Sequence, residues 1–314
     1  MTFTKVRRNP TGVLLYMAMI SVIGTELQAV PVQQNWVRLP AVDTCYLPLT
    51  GGIITTAPSL SHCLVFGSTS QRKVASYDET SGFCTLHDQT TIVSTSGDVY
   101  VLSPRDCSDV DPTCSSNIHR ITTITGNSFD VFCDMDTDNG HWNVIHNRQS
   151  SDIDFYRNWN EYKTGFGDLN GNFWLGNDNI HSLVAFSPYK LRIDLEAWDG
   201  TVGIAVYSVF QIASEADNYR LLVDGFSGDI RDGMEYVNGS MFSTKDRDND
   251  DNANIDCALY RHGAWWYRAC SHSNLNGKYM EDNGDSKQSM CWRFFFVDRS
   301  HVPMKKARMV IKRR

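Results

Sequence analysis

The stretch from Asp246 to Tyr279 constrains this chain more than any other. It begins DRDNDDN, six carboxylate or amide side chains in seven positions, and runs on to Cys257 and Cys270, thirteen apart, with Trp265 and Trp266 between them. Carboxylates that crowded repel one another unless a cation lies among them. A hard ion such as Ca²⁺, which gathers roughly six to eight oxygen ligands, suits this donor set. Asp248, Asp250, Asn252 and Asn254 fall on alternate positions, so an extended or turning backbone can aim several of them at one point. The spacing is not that of an EF-hand. Counting from Asp248, Ala253 falls where the sharp-turn glycine belongs and Leu259 where the bidentate glutamate belongs. Taken alone, the aspartates also read as a solvated acidic loop.

The start of the chain reads as an export signal over residues 1–29. Lys5, Arg7 and Arg8 precede the apolar stretch Val13 to Gly24, and Leu27-Gln28-Ala29 offers a small-residue cleavage site. A membrane anchor is the competing reading, but the stretch falls short of the ~20 apolar residues that span a bilayer. The expectation is a secreted, extracellular protein with no membrane insertion. Nine cysteines agree with an oxidising compartment. With no CxxC and no paired Cys/His knuckle, zinc is not expected. A formal net charge of −7 argues against nucleic acid as a partner. The last ten residues, KKARMVIKRR, read as a final strand followed by a solvated basic tail, with contact to an anionic polysaccharide as the alternative.

Two units are expected. Residues 30–104 are rich in Val, Ile, Thr and Ser in short strand-like runs and carry Cys45, Cys63 and Cys84. Ser103-Pro104-Arg105 reads as the joint. Over residues 105–314, aromatic and β-branched runs alternate with Gly/Asn/Asp turns, and seven of the eight tryptophans lie between Trp142 and Trp292. This pattern predicts an α+β domain: a twisted, mainly antiparallel sheet with short helices packed to one side and long functional loops. Ser151–Asn160 and Asn177–Leu183 are the helix candidates. Asn238-Gly239-Ser240 is the sole glycosylation sequon.

An enzyme is not expected. Nucleophile elbow, phosphate loop and metal-hydrolase helix motifs are all missing from the sequence. Ser271 and His272 are adjacent, which usually points their side chains apart, so they read as polar lining of a binding pocket.

The runs Phe242-Ser243-Thr244-Lys245-Asp246, Gly263-Ala264-Trp265-Trp266-Tyr267 and Ser273 to Tyr279 resemble the fibrinogen C-terminal domain. That module is shared by fibrinogen chains, ficolins, tachylectins, tenascins and angiopoietins. Phe132-Cys133-Asp134-Met135, Tyr162 to Gly167, Phe173 to Gly176 and Tyr189 to Arg192 fit the same family in order, so the resemblance covers Asp106 to Arg314. Upstream, SHCLVFGSTSQRKVASYDETSGFCTLHD weakly resembles a PAN/apple-type domain, a small disulfide-pinned β-rich module in which Cys63–Cys84 is the favoured pair.

The resemblance implies disulfides Cys107–Cys133 and Cys257–Cys270. It implies one Ca²⁺ held by Asp248 and Asp250, with Asn252 and Asn254 supplying carbonyl ligands. It also implies a ligand cleft beside a cis Ala269–Cys270 peptide, lined by Arg261, Ala269, Cys270, Ser271, His272 and Lys287. Three positions depart from the acetyl-binding pattern: Ser271 stands for a histidine, Arg261 for an aromatic wall, and Ser286-Lys287 for a Tyr-Ala pair. Two cations there point to a carboxylate, sulfate or phosphate in place of an N-acetyl group. With Cys45, Cys114 and Cys291 left over, an odd thiol is either buried or joins two chains, and a homo-oligomer is expected. Two functions fit these implications. One is a calcium-dependent, lectin-like innate-immune binder of glycans or other microbial or cell-surface ligands. The other is a matrix or receptor-ligand protein that binds a protein receptor.

Overall fold

Tyr189–Ala197 alternates buried and half-buried side chains at every step, the period of a strand, and turns through Gly200 into Val202–Ile212, with which it pairs antiparallel. Gly200 holds φ +87°, a conformation that favours glycine. These strands belong to a computed structural model of the chain. The model describes residues 13–23, 26–38, 52–56, 74–78, 83–87, 98–102, 104–110, 112, 114–281, 287–298 and 300–314.

The chain divides into two units. The first is Met1–Arg105 with Asp109–Cys114 and Ile124–Ser128; the second is Asp106–Ser108, Ser115–Thr123 and Phe129–Arg314. In the first unit, β1 (Val13–Ile23), β2 (Glu26–Arg38), β3 (Gly52–Thr56), β4 (Val74–Asp78), β5 (Phe83–His87) and β6 (Asp98–Leu102) form one sheet in the order β1-β2-β6-β4-β5-β3. The expected signal stretch thus overlaps the β1–β2 hairpin. Cys45 and Cys63 lie outside the described residues, and the Cys63–Cys84 pairing with them.

The remaining strands are β7 (Asn117–Thr122), β8 (Ser128–Asp134), β9 (Trp142–Arg148), β10 (Phe166–Gly167), β11 (Phe173–Trp174), β12 (Tyr189–Ala197), β13 (Val202–Ile212), β14 (Leu221–Gly228), β15 (Ser273–Asn274), β16 (Cys291–Arg293) and β17 (His301–Arg313). The main path of the larger sheet is β10-β11-β9-β17-β12-β13-β14, so the last strand of the chain lies at its centre. The pairings along this path are antiparallel, as alternation and short turns predict. One aromatic cluster fills the core. Phe242 touches the rings of Trp159, Tyr162, Trp174 and Trp266, and Trp265 and Trp266 are both fully buried. Such rings carry most of the apolar area that a core of this kind buries.

Two helices frame the sheet: α1 (Trp159–Thr164) and α2 (Asn177–Val184). The second matches its expected range. The first corrects the expectation of a helix over Ser151–Asn160, because Asn158 is the N-cap. Its side chain accepts from the Glu161 N–H while Glu161 accepts from the Asn158 N–H, a capping box that starts the helix at Trp159. Gly165 ends it, where a Cβ would lie 2.6 Å from the Leu175 carbonyl oxygen.

The basic C-terminus is also corrected. It is not a solvated tail, since β17 continues to Arg313. Arg308 pairs with Asp134 at 2.8 Å and Asp194 at 3.1 Å, Lys306 with Glu196 at 2.8 Å, and Lys312 donates to the Gly140 carbonyl at 2.8 Å. Charges already committed within the sheet are poor bait for a polysaccharide.

Candidate functional site

The acidic loop is framed before any cation enters it. Ser243 and Trp265 exchange backbone hydrogen bonds at 2.9 and 3.2 Å and close its base. Asp246 accepts from the Thr244 hydroxyl at 2.7 Å and the Trp159 N–H at 2.9 Å, and Asn249 donates to the Phe242 carbonyl at 2.8 Å. These two side chains serve the frame. The next ones turn the chain in steps of two: Asp248 accepts from Asp250 N–H, Asp250 from Asn252 N–H, and Asn252 from Asn254 N–H. Asp250 also accepts from the Cys257 N–H at 2.8 Å, which ties the loop to the disulfide.

Asp256 joins them. Carboxylate oxygens of Asp248, Asp250 and Asp256 all lie within 4.8 Å of one another. Burial, with a contribution from the neighbouring Asp248 carboxylate, pushes Asp250 up to about 6. Three hard oxygen donors crowded at that distance fit a Ca²⁺ ion, whose charge would favour the ionised carboxylate that burial and Asp248 oppose at Asp250. Asp256 was missed at the level of sequence, although it is the next step of the same alternation after Asn254. The Asn252 side-chain oxygen accepts the Asn254 N–H and keeps a second lone pair, so both it and the main-chain carbonyl are open to an ion.

Asp256 has a second role. It is the N-cap of a short helix, α3 (Cys257–Arg261), accepting from the Leu259 N–H at 3.0 Å. The Cys257–Cys270 bond, with a Cα separation of 5.5 Å, joins this helix to the cis Ala269–Cys270 peptide. Cys107–Cys133, at 5.4 Å, pins the start of the domain, and Cys114 and Cys291 are both buried.

Arg261 ends α3 pointing inward and is only 2% exposed. Its guanidinium donates to the Lys287 carbonyl at 2.9 Å and to the Ser271 carbonyl, with Ser271 Oγ and His301 Nε2 at 3.3 Å. Arg261 and Lys287 therefore do not form a pair of cations facing a ligand. Only the Lys287 side chain is exposed, and Arg261 fills the interior beside Ser271. Ser271 is itself buried and donates to the Ser273 carbonyl, so it offers no hydroxyl to solvent.

Charge at the surface comes from residues that are scattered in the sequence. His272 stacks on Tyr236 at 4.5 Å and contacts the Arg293 guanidinium. Arg268 lies 5.7 Å over the Tyr236 ring, while Arg293 and Arg231 lie 4.6 and 5.7 Å over Phe294. The result is a continuous row, Arg268–Tyr236–His272–Arg293–Phe294–Arg231, beside Cys270. Burial and the two arginines Arg293 and Arg261 push His272 below its ordinary value, so it is neutral at pH 7. Among the described residues Arg231 and Arg293 make no ion pair, and the nearest partner of Arg268 is Asp251 at 3.6 Å. Of this row the sequence reading named only His272. Asn238 is exposed on its loop, its side-chain oxygen accepting from Val223 N–H at 3.1 Å.

Residues 103–314 match the family described as fibrinogen beta and gamma chains, C-terminal globular domain. Fibrinogen-like protein A of Apostichopus parvimensis is 42% identical over 208 residues, covering 64% of this chain and 73% of that protein. Angiopoietin-related protein 7 of Mus musculus is 46% identical over 151 residues, 48% of this chain and 44% of that protein, so the match spans less than half of that relative. Among solved structures, the fibrinogen-like globe domain of human ANGPTL2 has a TM-score of 0.62 at 34% identity, over 67% of this chain and 99% of that one. Lamprey fibrin D-dimer, complexed with the peptide Gly-His-Arg-Pro-amide, has a TM-score of 0.58 at 30% identity, over 66% and 73%.

Proposed function

The chain belongs to the fibrinogen C-terminal domain family, and from that premise we propose that it is a secreted, non-enzymatic recognition protein whose Ca²⁺-braced face beside Cys270 binds acidic glycans. The row of Arg268, Arg293 and Arg231 threaded through Tyr236, His272 and Phe294 carries this reading. Arg231 and Arg293, without carboxylate partners among the described residues, and Arg268, paired only with Asp251 at 3.6 Å, attract carboxylate or sulfate and can hold it bidentately, and rings between them give a sugar an apolar surface. Arg261, folded into the interior, supports the rejection of N-acetyl groups by occupation and not by charge. Ca²⁺ would be held by Asp248, Asp250 and Asp256, with carbonyl oxygens of Asn252 and Asn254. There it would neutralise the loop that carries α3 and the disulfide.

The test compares sialylated, sulfated and neutral acetylated glycans on an array, with calcium and with chelator. Sialylated or sulfated glycans should bind, more weakly at high salt, and the double variant Arg268→Ala/Arg293→Ala should lose them. Strong binding to the neutral acetylated set that survives this double substitution would overturn the reading.

A second reading rests on different residues. Ile255, just before α3, and Leu259 and Tyr260 on it are 41%, 52% and 46% exposed, exposed apolar surface of the kind that marks protein contacts. The lamprey relative holds a peptide. A protein receptor bound without glycan dependence, and lost on Leu259→Asp, would favour this reading over the first.

A further inference from the structure

A cleft of about 240 Å³ opens where the segment after β9 meets residues 277–280, and it shares no residue with the face beside Cys270. Arg148, the last residue of β9 and only 2% exposed, forms part of its lining. One nitrogen of the guanidinium donates to the carbonyls of Leu275, at 3.2 Å, and Gly277. The group lies 4.2 Å over the Phe155 ring and 5.9 Å from that of Tyr279. Its Nε has no hydrogen-bond partner, and among the described residues no carboxylate forms an ion pair with it. Burial pulls Arg148 down to about 10. Asp154, in the same cleft, offsets part of this charge without forming an ion pair, and a buried cation with a donor unused still favours an anion brought to it.

The rest of the cleft narrows the choice of anion. Lys278 is exposed at the rim and adds a second positive charge. Tyr156 is clamped between His262, stacked at 3.8 Å, and Lys245, 4.5 Å from the ring, so this wall is preorganised. Asp154 contributes an acceptor, one oxygen already bonded to the Tyr156 N–H at 2.9 Å. The volume lies below the roughly 300 Å³ at which pockets for drug-sized ligands begin, which leaves room for about one sugar ring. We propose that this cleft binds a single carboxylated sugar residue, its carboxylate drawn by Arg148 and Lys278, its hydroxyls donating to Asp154, its ring against Tyr279 and the edge of Tyr156. This site goes beyond the face beside Cys270 and stands whether or not that face binds glycans.

Glucuronic acid and N-acetylneuraminic acid, with glucose as the neutral control, are titrated into the whole isotope-labelled chain and followed by NMR shifts. At least one acid should shift the resonances of Tyr156, Tyr279 and His262 while glucose does not. Lys278→Glu, an exposed reversal that leaves the fold intact, should weaken that binding by about tenfold or more. Arg148→Lys should weaken it too, and if that variant fails to fold, Lys278→Glu still decides. The proposal fails if neither acid binds, if glucose binds as well as the acids, or if Lys278→Glu binds as wild type. It also fails if the shifts vanish in Arg268→Ala/Arg293→Ala, which would assign the binding to the face beside Cys270.

Discussion

At the scale of single residues, His146 shows how burial sets a pH limit. It is fully buried on β9, edge-on to Phe155 and Trp174, and burial together with the Arg148 charge pushes it down to about 3. The unfolded chain takes a proton on this histidine near pH 6.5, while the folded chain stays neutral until about pH 3. Stability is therefore complete above pH 6.5 and falls as the pH drops from there towards 3, by about 1.4 kcal/mol per unit, or about 2 kcal/mol at pH 5. His262 and His272, also lowered, add to the slope. Denaturant unfolding at pH 7 and pH 5 should show this loss, and His146→Gln should reduce it. An unchanged difference in the variant would rule His146 out as the source. Arg261 marks the limit of what residue types reveal. Its charge was plain in the sequence, but its direction depends on acceptors 10 and 26 positions away. No local pattern encodes that.

Among the elements, α3 is the most dependent on its surroundings. Five residues cannot hold a helix in water, so the N-cap at Asp256 and the disulfide at Cys257 hold it in place. Two substitutions separate the cap from the proposed metal role. Asp256→Asn keeps a capping side chain and removes a charge, whereas Asp256→Ala removes both and should cost about 1 kcal/mol even in chelator. The calcium-dependent rise in melting temperature should shrink in both. For the wild type that rise corresponds to about 2.7 kcal/mol at a hundredfold excess over Kd. An Asn variant with the full rise would remove Asp256 from the ion. The loop itself was legible because its donors alternate in one contiguous run. The arginine row was not, because it is assembled from three separated segments, 231–236, 268–272 and 293–294. The start of α1 was blurred for another reason: Ser151 to Asn158 is polar enough to cap a helix at several points, and only the reciprocal Asn158–Glu161 bonds select one.

For the whole molecule, the order of short aromatic motifs along residues 106–314 was enough to reach the fold, because each motif occupies its own strand, turn or loop of one large sheet. The expectation of assembly rests on a simpler count. Nine cysteines cannot all pair within one chain, and a single weak glycan site gains roughly 10² to 10⁴ in avidity when copies are linked in favourable geometry. Sedimentation of the unreduced protein should show species above monomer. A monomer at micromolar concentration with one titratable thiol per chain would contradict that expectation.

The place of β17 reaches into how the protein is made. Its residues, 301–313, pair with β9 on one side and β12 on the other, partners more than a hundred positions earlier in the chain. Until the ribosome has released them, β9 and β12 face each other across a gap one strand wide. Synthesis at about 5–20 residues per second leaves both edges unpaired for many seconds, and chaperones would have to shield them over that interval. A chain that stops before His301 would then be not a slightly trimmed domain but a sheet split between β9 and β12, without the strand that pairs with both.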